Sequence, residues 1–396
     1  MMALEGVKVL DLTQHLSGPY CTMLLGDMGA EVLKIEKLQD GDDQRKLGPF
    51  IHGESAPFMM INRNKKSITL NLKSDAGKAL FLKLAAVCDI VVENFRPGIV
   101  KSLGIDYDTV KKVNPGIVYC SISGYGQTGP YAHRGGFDIL AQGMTGMMDM
   151  NSPMGQRPNK MPISAHDIGA GLMGLNAILS ATIHKLRTGV GQYIDVSLVE
   201  SGLALTVQET SAYLANGFVP KVSGTRNHLA APYQAYKTRD GYVVVGAGNQ
   251  KLWENFCRHV VNRPDWIDDP RFVKVSTRIQ HADALEKILE EVLVQHETDY
   301  WVVRMDAAGI PGGPINTLDQ ALRDPHFLAR DMVVDIVHPK AGPMKTLGIA
   351  AKMSQTPGQI RLPAPTLGQH TDGILKSLLA LTEGQIADLR SQQVIT

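Results

Sequence analysis

Cysteine is scarce in this chain, and none of it is paired in spacing. Four residues, Cys21, Cys88, Cys120 and Cys257, are scattered through 396 positions. No two of them have the C-x-x-C spacing of a zinc ribbon or a redox dithiol, and no disulfide framework is indicated. Buried, reduced thiols are expected. An excess of one charge is also missing. Forty Lys and Arg stand against 39 Asp and Glu, a formal net charge of +1, with no long basic run, so nucleic acid and acidic membrane surfaces are not expected partners. No apolar run approaches the ~18 residues needed to cross a membrane. The opening "MMALEGVKVLDLT" has no charged segment leading into an apolar one, as a secretory signal would. A cytoplasmic location is expected. Internal repeats and low-complexity segments are absent.

What is present is the composition of a soluble globular protein, 44% hydrophobic and 20% charged. The chain is too long for one ordinary core, so two domains are expected. In the first half, strand and helix signals alternate. "VKVLDL" (residues 7–12), "AEVLKIE" (30–36), "KSITLNL" (66–72), "DIVVENF" (89–95) and "GIVYCSISGYG" (116–126) read as strands. Helices are expected over 19–28 and in "SDAGKALFLKLAAVC". That alternation predicts a parallel, doubly wound α/β sheet, with ligand-binding loops gathered at one edge. A further helix is expected over 168–188, followed by a strand at 192–198. Residues 1–214 therefore read as the first part of a large Rossmann-like domain, and the Gly/Asn/Pro-rich 215–231 as a linker. A smaller α+β domain is expected over 232–320. It opens on a β-hairpin turning at Asp240-Gly241, and helices follow over 251–307. Residues 321–396, with a helix near 372–381, form a segment returning to the large domain.

One stretch poses the functional question. "PISAHDIGAGLMG" (162–174) sets Asp167 just ahead of Gly169, Gly171 and Gly174, which spell G-x-G-x-x-G. A dinucleotide site is one reading, and Asp195 even falls where a ribose-binding acid belongs. Three features oppose it. "MPISAH" is a poor strand, an acid stands where pyrophosphate would sit, and small residues at this spacing equally serve close helix packing. Asp167 itself has two readings. It is an ordinary helix N-cap, or a carboxylate kept ionised by the helix N-terminus and used as a nucleophile. On the second reading, nearby backbone N–H groups hold an oxyanion, and Gly169 and Gly171 let substrate approach the backbone. His166 is a candidate orienter of Asp167, although a packed or solvated histidine is the plainer reading.

The segments "VLDLTQHLSGPYCTMLLGDMGAEVLKIE", "NRNKKSITLNLKS", "VVENFRPG", "SISGYGQTGP", "VVVGAGN", "AAGIPGGPI" and "APTLGQHT" occur in the order found in the class III CoA-transferase family. From about residue 4 to 394 the chain resembles that family. Within it, "NRNKKSI", "CSISGYGQTGP" and "PYQAYKTRDGYVVVGAGN" are most similar to succinyl-CoA:dicarboxylate transferases. The resemblance implies an Asp nucleophile at Asp167 and a two-domain protein interlocked as a homodimer. Its substrates would be an acyl-CoA and a free carboxylic acid. The coenzyme A thioester enters as substrate, with no tightly bound cofactor and no metal. The resemblance further implies CoA contacts at His15, Leu16, Ser17, Lys37, Leu70, Lys73, Asn94, Phe95, Arg96 and Ser102. The glycine loop Gly246, Ala247, Gly248, Asn249 would cover the active site, and mobile glycines suit such a lid. Ser102 occupies a position where relatives often carry Arg. Arg45, Arg134 and Arg226 are candidate partners for a second acceptor carboxylate. The Met-rich run 144–161 reads as packing, or as the lining of an acyl pocket.

Two departures narrow the expectation. Leu16 stands where formyl-CoA transferases have Gln. Gly136-Phe137-Asp138 stands where the family's 2-methylacyl-CoA racemases have G-H-D, and Phe137 cannot exchange a proton with an α-carbon. The expected activity is CoA transfer through aspartyl anhydride and aspartyl-CoA thioester intermediates. The rival readings are racemisation and non-catalytic acyl-CoA binding.

Overall fold

The sequence reads into structure first as a sheet whose strands are apolar on both faces. The computed structural model describes residues 1–222 and 224–396. Two compact units form: Met1–Asn151, Pro158–Pro220 and His326–Thr396 make the larger, and Ser152–Arg157 with Lys221–Pro325 the smaller.

In the larger unit the strands are β1 (Lys8–Asp11), β2 (Glu31–Glu36), β3 (Lys65–Thr69), β4 (Ile90–Glu93), β5 (Val118–Ser123) and β6 (Tyr193–Ser197). They form one sheet in the order β3-β2-β1-β4-β5-β6, parallel throughout. Alternate side chains go to opposite faces. Leu10, Leu33, Ile68, Val91 and Tyr119 pack on one face against Leu80, Phe81 and Leu84 of the helix Asp75–Ala86. Val9, Val32, Ile90, Val118, Cys120 and Ile122 pack on the other face against α1 (Ser17–Asp27) and a long helix, Ala165–Thr188. With both faces covered, the strands read as nearly unbroken apolar runs, which is the pattern of a doubly wound sheet. The order reverses between β1 and β4, and a crevice opens there at the strands' C-terminal ends.

Continuing the numbering in chain order, Asp75–Ala86 is α2, and α3 (Asp138–Met144), α4 (Ala165–Thr188), α5 (Leu198–Leu205) and α6 (Val207–Asn216) follow. Buried Ala170, Gly171, Gly174, Leu175, Ile178, Ala181 and Thr182 give α4 a helical stripe, and Gly189 at φ +77° ends it.

The smaller unit holds a three-stranded antiparallel sheet, with β7 (Tyr233–Lys237), β8 (Tyr242–Gly246) and β9 (Gly312–Pro314) in the order β9-β8-β7. The expected hairpin is present, with Lys237 opposite Tyr242. Helices α7 (Gln250–Asn255), α8 (Ala282–Leu293) and α9 (Thr298–Ala307) enclose Trp253, Phe256, Phe272 and Trp301.

In the returning segment a hairpin of β10 (Val333–His338) and β11 (Gly342–Leu347) is found, with α10 (Thr371–Leu379) and α11 (Glu383–Ser391). Only α10 was expected. Its neighbour α11 carries a readable signal, the capping box of Thr382 with Gln385. Ile374, Leu375, Ile386 and Val394 complete the core over β3 and α2. All four cysteines are free and buried. No helix among the described residues is long and apolar enough to cross a membrane.

Candidate active site

The crevice at the strand ends is a cavity of about 540 Å3 in the larger unit. Of the ten expected CoA contacts, Lys37, Leu70, Lys73, Phe95 and Ser102 line it, together with Thr13 and Gln14. The other five stand behind or beside this lining. Asn94 exchanges two hydrogen bonds with the backbone of Gln14, at 2.8 and 2.7 Å, and so ties the loop after β1 to that after β4. His15 holds φ +63°, a conformation disfavoured outside glycine. Its N–H donates to Asp42 Oδ1 at 3.1 Å. Leu16 is the N-cap of α1 and Ser17 its first residue. Arg96 is exposed, and its guanidinium lies so near Gly135 that a Cβ there would stand 2.8 Å from Nη2.

A buried ionic network supports the cavity floor. Lys34 Nζ pairs with Asp42 at 2.9 Å and donates to the Thr13 carbonyl at 2.7 Å. Lys65 pairs with Asp11 at 2.9 Å. All four side chains are essentially inaccessible, so each charge depends on its partner. Sequence reasoning passed over them, although charges inside the apolar runs "VLDL" and "VLKIE" were the available signal. Arg45 belongs to this floor. Its Nε and Nη2 donate to the two carboxylate oxygens of Glu36 in a bidentate ion pair, at 2.7 Å each, and its guanidinium lies 3.7 Å over the Phe58 ring. That engagement argues against Arg45 as an acceptor contact. Arg226 is likewise committed, to Asp283 and Glu286 in the smaller unit. Arg134 is exposed and stacks 3.9 Å over Tyr131.

Asp167 lies in the first turn of α4. It is not the N-cap: the helix begins at Ala165, with Ser164 as an N-cap that makes no side-chain bond. Nor does the helix terminus keep the carboxyl in the ordinary acidic range. Burial, and then the negative field of Asp138, push its pKa up from 3.8 to about 7. Desolvation outweighs the helix dipole here, because a dipole worth roughly 0.3–1 kcal/mol is small beside a shift of this size. A carboxylate poised near neutrality is more basic than an ordinary one, and so more nucleophilic once ionised.

The three glycines lie within α4 and serve packing. A Cβ on Gly171 would meet the Ser17 carbonyl at 2.8 Å, one on Gly174 the Ile122 Cδ1 at 3.2 Å, and one on Gly169 the Leu205 Cδ1 at 3.3 Å. Protein, not substrate, fills the space over Gly169 and Gly171, which corrects the expectation of an open backbone there. Three of the helix N–H groups offered as an oxyanion site are also engaged. Ala165 donates to Ile163, His166 to Asp138 and Ile168 to Ser164. His166 is a core histidine. Its Nε2 is 2.8 Å from Thr145 Oγ1, and its ring lies flat on Gly202. Bound to Thr145, the ring does not orient Asp167.

These contacts link Asp167 to the cavity. Residues 167 and 171 lie on one face of α4, and Gly171 abuts Ser17. The His15 ring stands edge-on to Phe137 at 6.5 Å, and Phe137 leads directly into Asp138. The loop 13–17 therefore borders both the cavity and the turn that carries Asp167.

In the smaller unit the glycine loop is tethered. Gly246 N–H donates to Pro311 at 2.8 Å, Ala247 N–H to Pro232 at 3.0 Å, and Asn249 caps α7 through Leu252 N–H at 2.9 Å. A Cβ on Gly248 would stand 2.8 Å from that of Ala230. Close approach of neighbouring backbone accounts for Gly246 and Gly248 in this conformation.

Comparison with known proteins adds the following. The family described as CoA-transferase family III matches residues 4–371. The succinyl-CoA:glutarate CoA-transferase of Mus musculus is 40% identical over all of this chain and 91% of its own. The Homo sapiens protein of the same description is 39% identical over 99% of this chain and 90% of its own. A crystal structure of a CAIB/BAIF family protein from Brucella suis superposes with a TM-score of 0.85 at 36% identity, covering 95% of this chain and 99% of that one.

Proposed function

The chain belongs to CoA-transferase family III and is a CoA-transferase, and on that premise we propose that it moves CoA from succinyl-CoA to a dicarboxylic acid of about glutarate's length, through covalent chemistry at Asp167. The observation that carries this reading is the acid with a pKa raised to about 7, set on the helix whose Gly171 touches the loop bordering the strand-edge cavity.

Ionised Asp167 attacks the thioester carbonyl. The C–S bond breaks, leaving a mixed anhydride on Asp167 and CoA thiolate. The thiolate attacks the aspartyl carbonyl, the donor acid departs as its carboxylate, and an aspartyl-CoA thioester remains. The acceptor carboxylate attacks that thioester and again releases thiolate, forming a second anhydride. Thiolate then attacks the acceptor's carbonyl, which yields the new acyl-CoA and frees Asp167. No step of this scheme calls for a metal or redox cofactor. Lys37, Lys73 and Phe95 hold the CoA moiety in the cavity. Arg134 and Arg96, exposed and close to the Gly135–Phe137 turn, are assigned to the acceptor's second carboxylate. The homodimer implied by the resemblance belongs to this reading. Exposed apolar side chains on α4 to α6, among them Leu186, Leu203, Val207 and Leu214, support a covered face there.

The test is incubation in D2O of succinyl-CoA, and in parallel of a 2-methyl-branched acyl-CoA, with mono- and dicarboxylic acids, followed by mass spectrometry. A new acyl-CoA that depends on the added acid is expected, greatest with glutarate. An α-deuterium in an otherwise unchanged branched acyl-CoA would instead establish racemisation, which Phe137 opposes.

A further inference from the structure

The helix that carries Asp167 has no cap of its own, and a buried carboxylate from another helix stands in the place of one. Asp138, the first residue of α3, is only 7% exposed. Its Oδ1 accepts the N–H of His166 at 2.9 Å, and its Oδ2 accepts Gln142 Nε2 at 2.6 Å. Gln142, one turn further along α3 and fully buried, extends the grip. Its Oε1 accepts the N–H of Met161 at 3.0 Å, and its Nε2 also reaches the Ile163 carbonyl at 3.3 Å. The two side chains thus hold both the entry to α4 and its first turn.

We propose that Asp138 is a positioning residue for the transfer reaction, capping α4 from outside and setting the place and basicity of the Asp167 carboxylate, with Gln142 as its brace. The inference rests on the reading of Asp167 as nucleophile. An orphan N–H at the start of α4 finds its acceptor in Asp138, which fixes the backbone one residue before Asp167. A displacement of about 1 Å in a reacting group is enough to cost roughly 100-fold in rate. The same carboxylate supplies a negative charge beside the nucleophile, so Asp167 holds its proton to higher pH.

The charged groups on the elements packed against α4 are few. From α3 comes Asp138, and His166 beside Asp167 is kept neutral by burial, with its Nδ1 3.9 Å from Asp138. On α5, Glu200 is bonded to Ser197, and on β6 Asp195 accepts the N–H of Gln127. On α1, Asp27 is held by Arg63 and Asn64. Asp138 is the acid among these that bonds to the turn carrying Asp167.

The experiment compares kcat and KM across pH for the wild type, D138A, D138N and D138N/Q142E, with D167A as control. D138A loses both bond and charge, and kcat is expected to fall about 10–100-fold with KM for succinyl-CoA within about 2-fold. In D138N the introduced amide oxygen keeps the His166 bond but the charge is gone, so the acid limb of kcat/KM moves about one unit to lower pH. The D138N amide N–H also faces Gln142 Nε2, donor against donor, so kcat falls; in D138N/Q142E the introduced carboxylate accepts from that amide and from Met161 N–H, and most of the kcat lost in D138N returns. A D138N limb at the wild-type pH, with no recovery in the double variant, would reduce Asp138 to a packing role. Unchanged kcat in D138A would overturn the proposal outright. Should D138A fail to fold, D138N and the double variant decide alone. Turnover surviving in D167A would overturn the nucleophile reading, and this proposal with it.

Discussion

A Cβ on Gly171 would stand 2.8 Å from the carbonyl oxygen of Ser17, so α4 and α1 meet there with no side chain between them. The contact lies one helical turn from Asp167 and at the end of the loop that borders the cavity. It joins the helix that carries Asp167 to the expected CoA-binding segment. Gly171→Ala is expected to force the two helices apart, at a cost of roughly 1–3 kcal/mol. The melting temperature should fall by several degrees, with kcat falling alongside. A variant as stable and as fast as the wild type would mean the helices shift freely at this point.

On the proposed mechanism, replacing Asp167 removes the covalent route. Asp167→Ala should lose at least about 1000-fold in transfer, in line with the loss of a catalytic nucleophile elsewhere, while circular dichroism stays native. After incubation with acyl-CoA and hydroxylamine, peptide mass spectrometry should find the aspartyl adduct in the wild type and none in the variant. Persistent transfer would move the nucleophile elsewhere.

The raised pKa has two consequences of opposite sign. Transfer needs the carboxylate, so kcat/KM should fall as pH drops through about 7. Folding favours the protonated acid, because the native pKa lies above the unfolded value. That favourable contribution is complete below pH 3.8 and is lost as pH rises through about 7. Asp167→Asn should therefore be inactive yet more heat-stable than the wild type at pH 8, with the gap closing at pH 5. Thermal melts at the two pH values, with both enzymes assayed in parallel, check both signs.

Lys73 lines the cavity and no charged partner for it is seen among the described residues, whereas Lys37 spends part of its charge on Asp43 at 2.9 Å. Lys73→Ala should raise KM for succinyl-CoA about 3–10-fold with kcat nearly constant, since phosphate-directed binding is uniform along the reaction. The KM increase should shrink at high salt. A change in kcat alone would place Lys73 outside CoA binding.

Much of the fold was legible because it rests on local periodicity. The largely apolar runs at 7–12, 30–36, 66–72 and 89–95 became β1 to β4, since strands buried on both faces carry apolar side chains except where a buried charge finds a partner, as Lys34 and Lys65 do. Asp240-Gly241 marked the hairpin because so few residues suit that turn. The motifs likewise placed Lys37, Leu70, Lys73, Phe95 and Ser102 at one edge, because loops after parallel strands converge there whatever their sequence distance. The family resemblance, spread over nearly the whole chain, named the family that the comparisons show.

What the sequence left undecided depends on neighbours distant in the chain. It offered Asp167 as an ionised N-cap, but α4 starts earlier, and burial beside Asp138 outweighs the helix dipole. It allowed the glycines of α4 to face substrate, and only the approach of Ser17, Leu205 and Ile122 shows that they face protein. Arg45 looked available until Glu36 and Phe58 enclosed it, and the capping of α4 by Asp138 joins residues 28 apart. Hydrophobic pattern and turn chemistry act over a few residues and are written locally. Desolvation, ion pairing and close approach act through space, so the charge and the exact setting of Asp167 were decided by the tertiary structure.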